Sequence, residues 1–243
     1  MKKHSTRSVV VFCSLVISAA IIPINAFATR YGADLCQESG YTCKEITKYQ
    51  SWESLWSDST TRDIMMRINR TNEALHAHEI IAVPDDISYS SQLNDFSPFA
   101  QQIDTHGEKM IIVDPRKEAF AAYDASGDLV RWGPASSGSD YCRDLGKRCH
   151  SPTGSFRVYD REGEGCVSTR FPLPYGGAPM PYCMHFFRGF ALHGEPDGEG
   201  LPGYNASHGC IRLFIEDAEW LNHEFIDLPG NHQGGTRVIV KPY

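Results

Sequence analysis

The sequence predicts a mainly β protein in which a small α+β unit precedes a larger, strand-rich domain. After Gly107 the chain alternates short apolar stretches with turn signals rich in Gly, Pro, Asp and Ser, as a series of strands does. Between Tyr41 and Pro84, two stretches with helical spacing lie between two that are typical of strands. The length of the chain allows one large domain or a small and a medium domain, and either arrangement can bury a core.

Residues 1–28 have the layout of a secretory signal peptide. They begin with three Lys or Arg residues, continue with an apolar stretch and end in the small-x-small sequence Ala26-Phe27-Ala28. The apolar stretch is shorter than the roughly 20 residues of a membrane-spanning helix. We therefore expect cleavage after Ala28, export to the periplasm or cell envelope, and no stable membrane span in the mature chain. An uncleaved membrane anchor is the alternative.

Residues 29–85 are predicted to form the α+β unit, with the order strand, helix, helix, strand. The strands are expected in "YTCKEITKYQ" and "EIIAVP", and the helices around "WESLW" and "RDIMMRINR". Residues 86–106 are polar with scattered aromatic side chains, which predicts a linker.

Residues 107–243 are predicted to form the strand-rich domain. Its expected strands lie in "KMIIVD", "EAFAAYD", "DLVRWGPASSG", "GSFRVYD", "MPYCMHFFRGFALHG" and "TRVIVKPY". One helix is expected in "EDAEWLNHEF", because Phe214, Ala218, Leu221 and Phe225 recur at helical spacing. That helix would follow directly on the segment that contains Cys210.

The charge of the chain argues against nucleic acid as a partner. The formal net charge is −7, and loss of the three positive charges of the signal peptide would take it to −10. An acidic surface repels a polyanion.

The number of cysteines predicts one thiol that is not part of a disulfide. Of the eight cysteines, Cys13 falls in the signal peptide, so seven remain in the expected mature chain. An oxidising compartment favours three disulfides, and six cysteines allow about 15 pairings. Proximity in the sequence suggests the pairs Cys36 with Cys43, Cys142 with Cys149, and Cys166 with Cys183. Cys210 is then the odd thiol: a reactive group or, alternatively, an intermolecular disulfide or an inert buried thiol.

The segment "NASHGCIRLF" gives Cys210 the neighbours that a nucleophile needs. A thiol reacts as a thiolate, so it requires a base or a positive dipole close by. His193 ends an apolar strand in "FALHG", and thirteen residues separate it from Ser207, enough for the chain to return beside it. Gly209 lets the backbone turn closely, so that nearby amides can point at a developing oxyanion.

These residues resemble a known family. The spacing His193-x13-Ser207-His208-Gly209-Cys210, followed by "IRL", is similar to the signature of the L,D-transpeptidase catalytic domain of the YkuD type. The segments "IIVDPRKEAFAAYDASGDLVRWGPASSG", "SPTGSFRV" and "MPYCMHFFRGFALHG" also resemble that domain, so the likeness extends over residues 107–243. It implies a β-sandwich catalytic domain with a short helix after the Cys motif.

The resemblance also implies the chemistry and its residues. In that family the Cys of the motif is acylated by a peptidoglycan stem peptide, which makes Cys210 the nucleophile, His193 its base and His208 a supporting residue. The backbone groups that orient the imidazole or form the oxyanion hole would belong to Gly194, Ser207, Gly209 and Cys210. Arg212, Met180 and Tyr182 would contact the substrate.

The first unit resembles a diverged LysM module. "QSWESLW" lies where that module begins its first helix, "RINR" is similar to its Leu-Asn turn, and "EIIAVP" is similar to its closing strand. LysM modules bind polymers of N-acetylglucosamine, so the glycan of peptidoglycan is the ligand that the resemblance implies.

The predicted function is therefore acyl transfer from a tetrapeptide stem to an amine. The acyl donor would be the diaminopimelate that precedes D-Ala, and the product a 3-3 cross-link. An envelope protein as acceptor would make the protein an anchoring enzyme, and water would make it an L,D-carboxypeptidase. No cofactor is expected.

Three alternatives remain. A papain-like peptidoglycan hydrolase is less favoured, because its Cys precedes its His along the chain, although convergent sites occur in other orders. A non-catalytic peptidoglycan-binding envelope protein is the alternative from another class. A zinc site of His185, His193, His208 and Cys210 has suitable ligand types, but the motif explains these residues without metal.

Overall fold

The protein has a small α+β unit packed against a larger β domain. The computed structural model describes residues 30–88, 91–196, 198–230 and 234–243, so the predicted signal peptide lies outside the described residues. The predicted mainly β class is confirmed. Within the described residues, no helix combines the length and the apolar character that crossing a bilayer requires.

The α+β unit consists of two strands with two helices between them, preceded by a further short helix. Its elements are α1 (Tyr31–Leu35), β1 (Tyr41–Glu45), α2 (Trp52–Leu55), α3 (Ser59–Ile68) and β2 (Ile80–Pro84). Strands β1 and β2 pair antiparallel, with Cys43 opposite Ala82. Ser51 and Asp58 cap α2 and α3 by accepting hydrogen bonds from backbone amides, which is why these helices begin there. Helix α1 was not predicted.

The β domain is built on one sheet of nine strands. Its elements are β3 (Met110–Asp114), β4 (Ala119–Tyr123), β5 (Leu129–Ser136), β6 (Gly154–Arg157), β7 (Asp160–Arg161), β8 (Met184–Phe187), β9 (Phe190–Gly194), β10 (Ile211–Leu213), α4 (Ile215–Trp220) and β11 (Arg237–Val240). The helical turn continues through Leu221–Phe225. The short strand β10 was not predicted.

The nine-stranded sheet curls until its two edges meet. The strand order is β6-β11-β3-β4-β5-β10-β9-β8-β7, and only Val158 and Tyr159 separate the two edge strands in the chain. Phe156 of β6 lies 5.4 Å, between ring centroids, from Phe186 of β8. The curled sheet encloses one core together with α4, whose Ala218 is fully buried in it. The expected sandwich is thus a single sheet that folds over its own core.

Residues 91–106 cover the outer face of this sheet. All five residues of β4 are buried, because the core covers one face and a second apolar cluster around Trp132 covers the other. Leu93–Phe96 form a 3-10 helix in this segment. The Trp132 indole donates a hydrogen bond to the Leu93 carbonyl at 2.8 Å, and the Tyr123 hydroxyl donates one to the Ala100 carbonyl at 2.7 Å. The segment predicted as a linker therefore packs on the β domain.

A buried ion pair joins the two units. Arg67 of α3 lies 2.5 Å from the carboxylate of Asp217 in α4, and both side chains are almost fully buried. Arg131 of β5 approaches the other oxygen of Asp217 at 3.2 Å. Nearby, the Arg70 guanidinium donates to the Lys117 carbonyl at 2.9 Å and lies over the Trp132 ring. The α+β unit is therefore held rigidly against β5 and α4.

The described part of the chain contains three disulfides. They join Cys36 to Cys43, Cys142 to Cys149, and Cys166 to Cys183, the pairs suggested by proximity in the sequence. Among the described residues, Cys210 is the free cysteine.

Candidate active site

Cys210 and His193 lie on one face of two adjacent parallel strands. The register pairs Ile211 with Leu192 and Arg212 with His193, which places Cys210 opposite Ala191. Leu192 and Ile211 point into the core, so the alternating residues Cys210, Arg212 and His193 share the opposite face. Diagonal neighbours in a sheet are roughly 7–8 Å apart at Cα, within reach of an imidazole ring.

His193 is a buried, neutral base with a defined tautomer. Its ring is buried, and Nδ1 lies 2.9 Å from the carbonyl oxygen of Gly194. A carbonyl can only accept, so Nδ1 carries the proton and Nε2 keeps its lone pair. Burial lowers the pKa of His193 to about 4, with a smaller lowering by the Arg212 charge. The imidazole is therefore uncharged at neutral pH.

Gly194 is packed closely against α4. A Cβ there would lie 3.1 Å from the Cα of Ile215 in α4, and the Gly194 amide donates to the Pro181 carbonyl at 2.8 Å. The carbonyl that holds the His193 ring is thus fixed by its own neighbours.

The Cys210 thiol lies in a small apolar cluster at the surface. It is partly exposed and packs against Met180, Ala191 and the Cys166–Cys183 disulfide. Burial raises its pKa above the ordinary value, against the lowering effects of a backbone hydrogen bond at Ala191 and of the Arg212 charge. The thiol is therefore protonated at rest, and a base must take its proton when it reacts.

The turn before Cys210 is closed by the Ser207 hydroxyl. This oxygen donates to the Cys210 carbonyl and accepts from the Gly209 amide at 2.9 Å. Gly209 has φ +121°, and a Cβ there would lie 2.6 Å from the Phe190 ring, so only glycine fits. The Gly209 amide, predicted to form part of an oxyanion hole, is thus occupied by Ser207 in this structure.

His208 is held at the surface by a residue that the sequence did not single out. Its Nε2 lies 2.9 Å from a carboxylate oxygen of Asp144, and its ring packs against Phe171 with a centroid distance of 4.7 Å. Asp144 belongs to the loop that the Cys142–Cys149 disulfide closes. The contact orients the imidazole of His208 from outside the Cys210 motif.

Arg212 faces a carboxylate that the sequence analysis also missed. Its guanidinium lies 3.4 Å from one oxygen of Glu195, whose side chain is 6% exposed. Glu195 follows His193 by two residues, so the same alternation that brings His193 to this face brings Glu195 to it. Continuing the "FALHG" strand by one residue would have predicted its position.

Met180 and Tyr182 occupy different places. Met180 is buried beside Cys210. The Tyr182 hydroxyl instead donates to Glu219 of α4 at 3.2 Å, and its ring meets His223 edge-on. Tyr182 therefore contacts α4, and its predicted contact with substrate stays a prediction.

The four residues weighed as zinc ligands are not brought together. None of the clusters of metal-ligating side chains in the described ranges includes His193 or Cys210. His208 instead lies against Asp144, and His185 is 4.0 Å from Asp160.

A free thiol, Cys210, and a neutral imidazole, His193, thus lie on one face of the curled sheet. Residues 108–240 match the family model of YkuD, the L,D-transpeptidase catalytic domain, and the chain belongs to that family. The protein is accordingly a cysteine-dependent enzyme that modifies peptidoglycan.

Solved structures of L,D-transpeptidases are similar to this chain. One from Xylanimonas cellulosilytica is 24% identical over 68% of this chain and 73% of its own, with a TM-score of 0.47. One from Mycobacterium tuberculosis is 25% identical over 56% and 58%, with a TM-score of 0.42. One from Stackebrandtia nassauensis is 19% identical over 60% and 61%, with a TM-score of 0.45. This chain covers less than two thirds of the length of the Mycobacterium tuberculosis and Stackebrandtia nassauensis structures. Curated proteins gave no match.

Proposed function

We propose that the protein is a peptidoglycan L,D-transpeptidase in which Cys210 is the nucleophile and His193 the base. The observation that carries the proposal is that the free thiol shares one face of adjacent strands with an imidazole whose Nδ1 is held by the Gly194 carbonyl. That contact leaves the lone pair of Nε2 to accept a proton from sulfur. The family to which the chain belongs supports the substrate class.

In the first half-reaction the thiol displaces D-Ala. Sulfur attacks the carbonyl carbon of diaminopimelate in a tetrapeptide stem while the thiol proton passes to His193 Nε2. The imidazolium then gives this proton to the departing nitrogen, the C–N bond breaks and a thioester on Cys210 remains. Because both groups are neutral at rest, the buried site holds separated charge only during the reaction.

In the second half-reaction an amine attacks the thioester. The new amide bond forms, the C–S bond breaks, and the sulfur recovers a proton. A second stem as acceptor gives a 3-3 cross-link, and a protein amine would give an anchored protein. Water would give an L,D-carboxypeptidase, but no contact in the site favours water over an amine.

We propose that the α+β unit is a LysM-like module for peptidoglycan glycan. Its element order of strand, helix, helix and strand and the exposed Tyr49 beside β1 support this proposal. Co-sedimentation of the Tyr49→Ala protein with intact sacculi tests it, since weaker binding than that of the unaltered protein is expected. We further propose a periplasmic location after cleavage at Ala28, which N-terminal sequencing of the exported protein tests.

Mass spectrometry of disaccharide-tetrapeptide incubated with the protein tests the reaction. The unaltered protein should yield cross-linked dimers that have lost D-Ala, through an acyl adduct on Cys210. Cys210→Ala should yield neither, because alanine has no nucleophile.

Two results would contradict the proposed reaction. Tripeptide without dimers would assign a carboxypeptidase. No turnover in either protein, together with binding to sacculi, would assign a wall-binding protein.

A further inference from the structure

A buried serine far from the Cys210 motif in the sequence is hydrogen-bonded to that motif. Ser151 is 2% exposed and begins the segment "SPTGSFRV". Its hydroxyl donates a hydrogen bond to the Gly209 carbonyl at 2.8 Å and accepts one from the Gly138 amide at 3.0 Å. A hydroxyl has one proton to donate, so the proton of Ser151 is committed to Gly209.

The surroundings of Ser151 fix its own position. The Ser151 amide donates to the Tyr243 hydroxyl at 2.9 Å, and the Tyr243 ring stacks on the His150 ring with the centroids 3.7 Å apart. On another side, a Cβ on Gly138 would lie 2.7 Å from the Ser151 nitrogen, so these two segments are in close contact. The Ser151 hydroxyl therefore meets Gly209 from a closely packed part of the domain.

The hydrogen bond from Ser151 sets the direction of the Cys210 amide. The Gly209 carbonyl and the Cys210 N–H belong to one peptide unit, which is trans and planar, so the two groups point in opposite directions. Because the carbonyl points to the Ser151 hydroxyl, the N–H points away from it. Gly209 has φ +121° and no side chain to restrict its rotation, so an outside contact is needed to fix this peptide unit.

The Cys210 amide is the donor that this turn leaves unused. Among the described residues it makes no hydrogen bond, and the ladder of β10 begins only at Ile211. The Gly209 amide, in contrast, donates to the Ser207 hydroxyl at 2.9 Å. An unpaired N–H beside the attacking sulfur is the group that can stabilise a developing oxyanion.

We propose that Ser151 is a positioning residue, whose hydrogen bond to Gly209 holds the Cys210 amide toward the oxyanion that forms during acylation. The inference rests on the proposed transpeptidase function and adds a residue that acts through the Gly209 peptide.

The amide acts in one step of the first half-reaction. As sulfur attacks, the S–C bond forms, the thiol proton passes to His193, and the electron pair of the C=O bond moves to oxygen. The Cys210 N–H donates to this oxygen until the C–N bond breaks and the pair returns. The hydrogen bond is therefore strongest near the transition state, so a fixed amide accelerates acylation more than it tightens binding.

The test separates the oxyanion from the thiol. Acylation of Cys210 by disaccharide-tetrapeptide is followed by mass spectrometry of the intact protein over a range of donor concentrations. Alkylation of the same thiol by iodoacetamide is measured beside it. Alkylation forms an S–C bond and breaks a C–I bond at a saturated carbon, without an oxyanion. It therefore reports the reactivity of the thiol independently of the amide.

Two alanine variants form a matched pair. Ser151→Ala removes the hydroxyl that holds Gly209. Ser136→Ala removes a hydroxyl of similar burial, 3% exposed, which donates to the Tyr204 carbonyl at 2.8 Å and accepts from the Ala206 amide at 3.1 Å. Each variant leaves one carbonyl and one amide without their hydroxyl partner, so the two melting temperatures should fall by similar amounts.

The expected result is a defect confined to acylation in Ser151→Ala. The acylation rate at saturating donor should fall roughly 10- to 100-fold, because a misdirected donor loses much of its effect on the oxyanion. The donor concentration that gives half of this rate should change by less than about twofold, since the ground-state carbonyl gains little from the amide. Alkylation should stay within about twofold, because thiol and base are unaltered. Ser136→Ala should be acylated within about threefold of the unaltered rate.

Other results would overturn the inference. Normal acylation of a folded Ser151→Ala protein would do so and leave the proposed function standing. Equal losses of acylation and alkylation, or an equal loss of acylation in Ser136→Ala, would assign Ser151 a structural role only. An unaltered protein that is never acylated would overturn the proposed function, and this inference with it.

A second variant decides if Ser151→Ala does not fold. Tyr243→Phe keeps the Ser151 hydroxyl but removes the acceptor of the Ser151 amide, so the hydroxyl is held less firmly. Slower acylation with normal alkylation is expected, and unchanged acylation would count against the inference.

Discussion

At the scale of single residues, burial determines the resting state of the site. His193 is 5% exposed and Cys210 lies in an apolar cluster, so the charged form of each is disfavoured. The pKa of the imidazole falls and that of the thiol rises. We therefore expect the thiol and the imidazole to be neutral at rest, with the thiol proton passing to His193 during attack. A preformed thiolate–imidazolium pair is not expected.

The acidic side of the pH dependence of the Cys210 acylation rate should report the pKa of His193. Since that pKa is lowered to about 4, the base form persists above that pH and is lost only below it. The acylation rate should therefore be half-maximal near pH 4, well below the pKa of about 6.5 of an exposed histidine. Arg212→Gln should move the midpoint upward, because it removes a positive charge that disfavours the imidazolium.

Stopped-flow measurement of Cys210 acylation from pH 3.5 to 8 would check this prediction, with tryptophan fluorescence recorded in parallel to verify that the chain stays folded. A midpoint near 6.5 would argue against a desolvated His193.

At the scale of elements, a disulfide loop contributes to the site from a distance in the sequence. Asp144 lies within the Cys142–Cys149 loop and contacts His208, which is 64 residues further along the chain. The Ser139 amide donates to the Ser207 carbonyl at 2.9 Å, so the start of the loop is also tied to the Cys210 turn. The disulfide therefore holds the residues that orient His208.

Removing this disulfide should reduce activity as well as stability. The double variant Cys142→Ser, Cys149→Ser should lose about 2–3 kcal/mol of unfolding free energy, and roughly 10-fold or more in the acylation rate as Asp144 leaves His208. The Cys36–Cys43 disulfide closes a loop of the same sequence separation, 7, in the other unit. Its double serine variant should lose similar stability but keep the acylation rate.

Urea denaturation and acylation kinetics of both double variants would test this. Equal acylation rates in the two variants would exclude a role for the Cys142–Cys149 loop in the site.

At the scale of the whole molecule, a buried ion pair is among the contacts that join the two units. Arg67 and Asp217 are 150 residues apart in the sequence, and their side chains are 4% and 0% exposed. Loss of Arg67 would leave Asp217 buried with only Arg131, which is 3.2 Å away on a partly exposed side chain. Breaking a buried pair by removing one partner is costly, because the remaining charge stays desolvated.

Arg67→Met should therefore destabilise the chain by about 3 kcal/mol or more. The matched control is Arg62→Met on the same helix, whose ion-pair partner Glu53 is 3.9 Å away and 67% exposed. The control should lose less than about 1 kcal/mol. Thermal unfolding of both variants would decide, and equal losses would argue against a coupling of the units through Asp217.

Local sequence patterns were sufficient to predict most of the fold and the two central residues of the candidate site. Apolar stretches between turn signals predicted the longer strands, because a strand buries its side chains within a few residues of its turns. The three-residue strand β10 was missed, since "IRL" is too short to show a period. Cys210 was found because it ends the contiguous segment Ser207-His208-Gly209-Cys210, and His193 because it ends an apolar strand thirteen residues before that segment.

The sequence by itself determined the mainly β class, the odd thiol and the segments that contain Cys210 and His193, because each of these follows from neighbouring residues. Only the tertiary structure decided that the Gly209 amide is taken by Ser207, that His193 is protonated at Nδ1, and that Glu195 faces Arg212. It also decided that residues 91–106 cover β4 and that Arg67 reaches Asp217. These features depend on contacts between distant parts of the chain, and on the burial that such contacts produce, which no local pattern encodes.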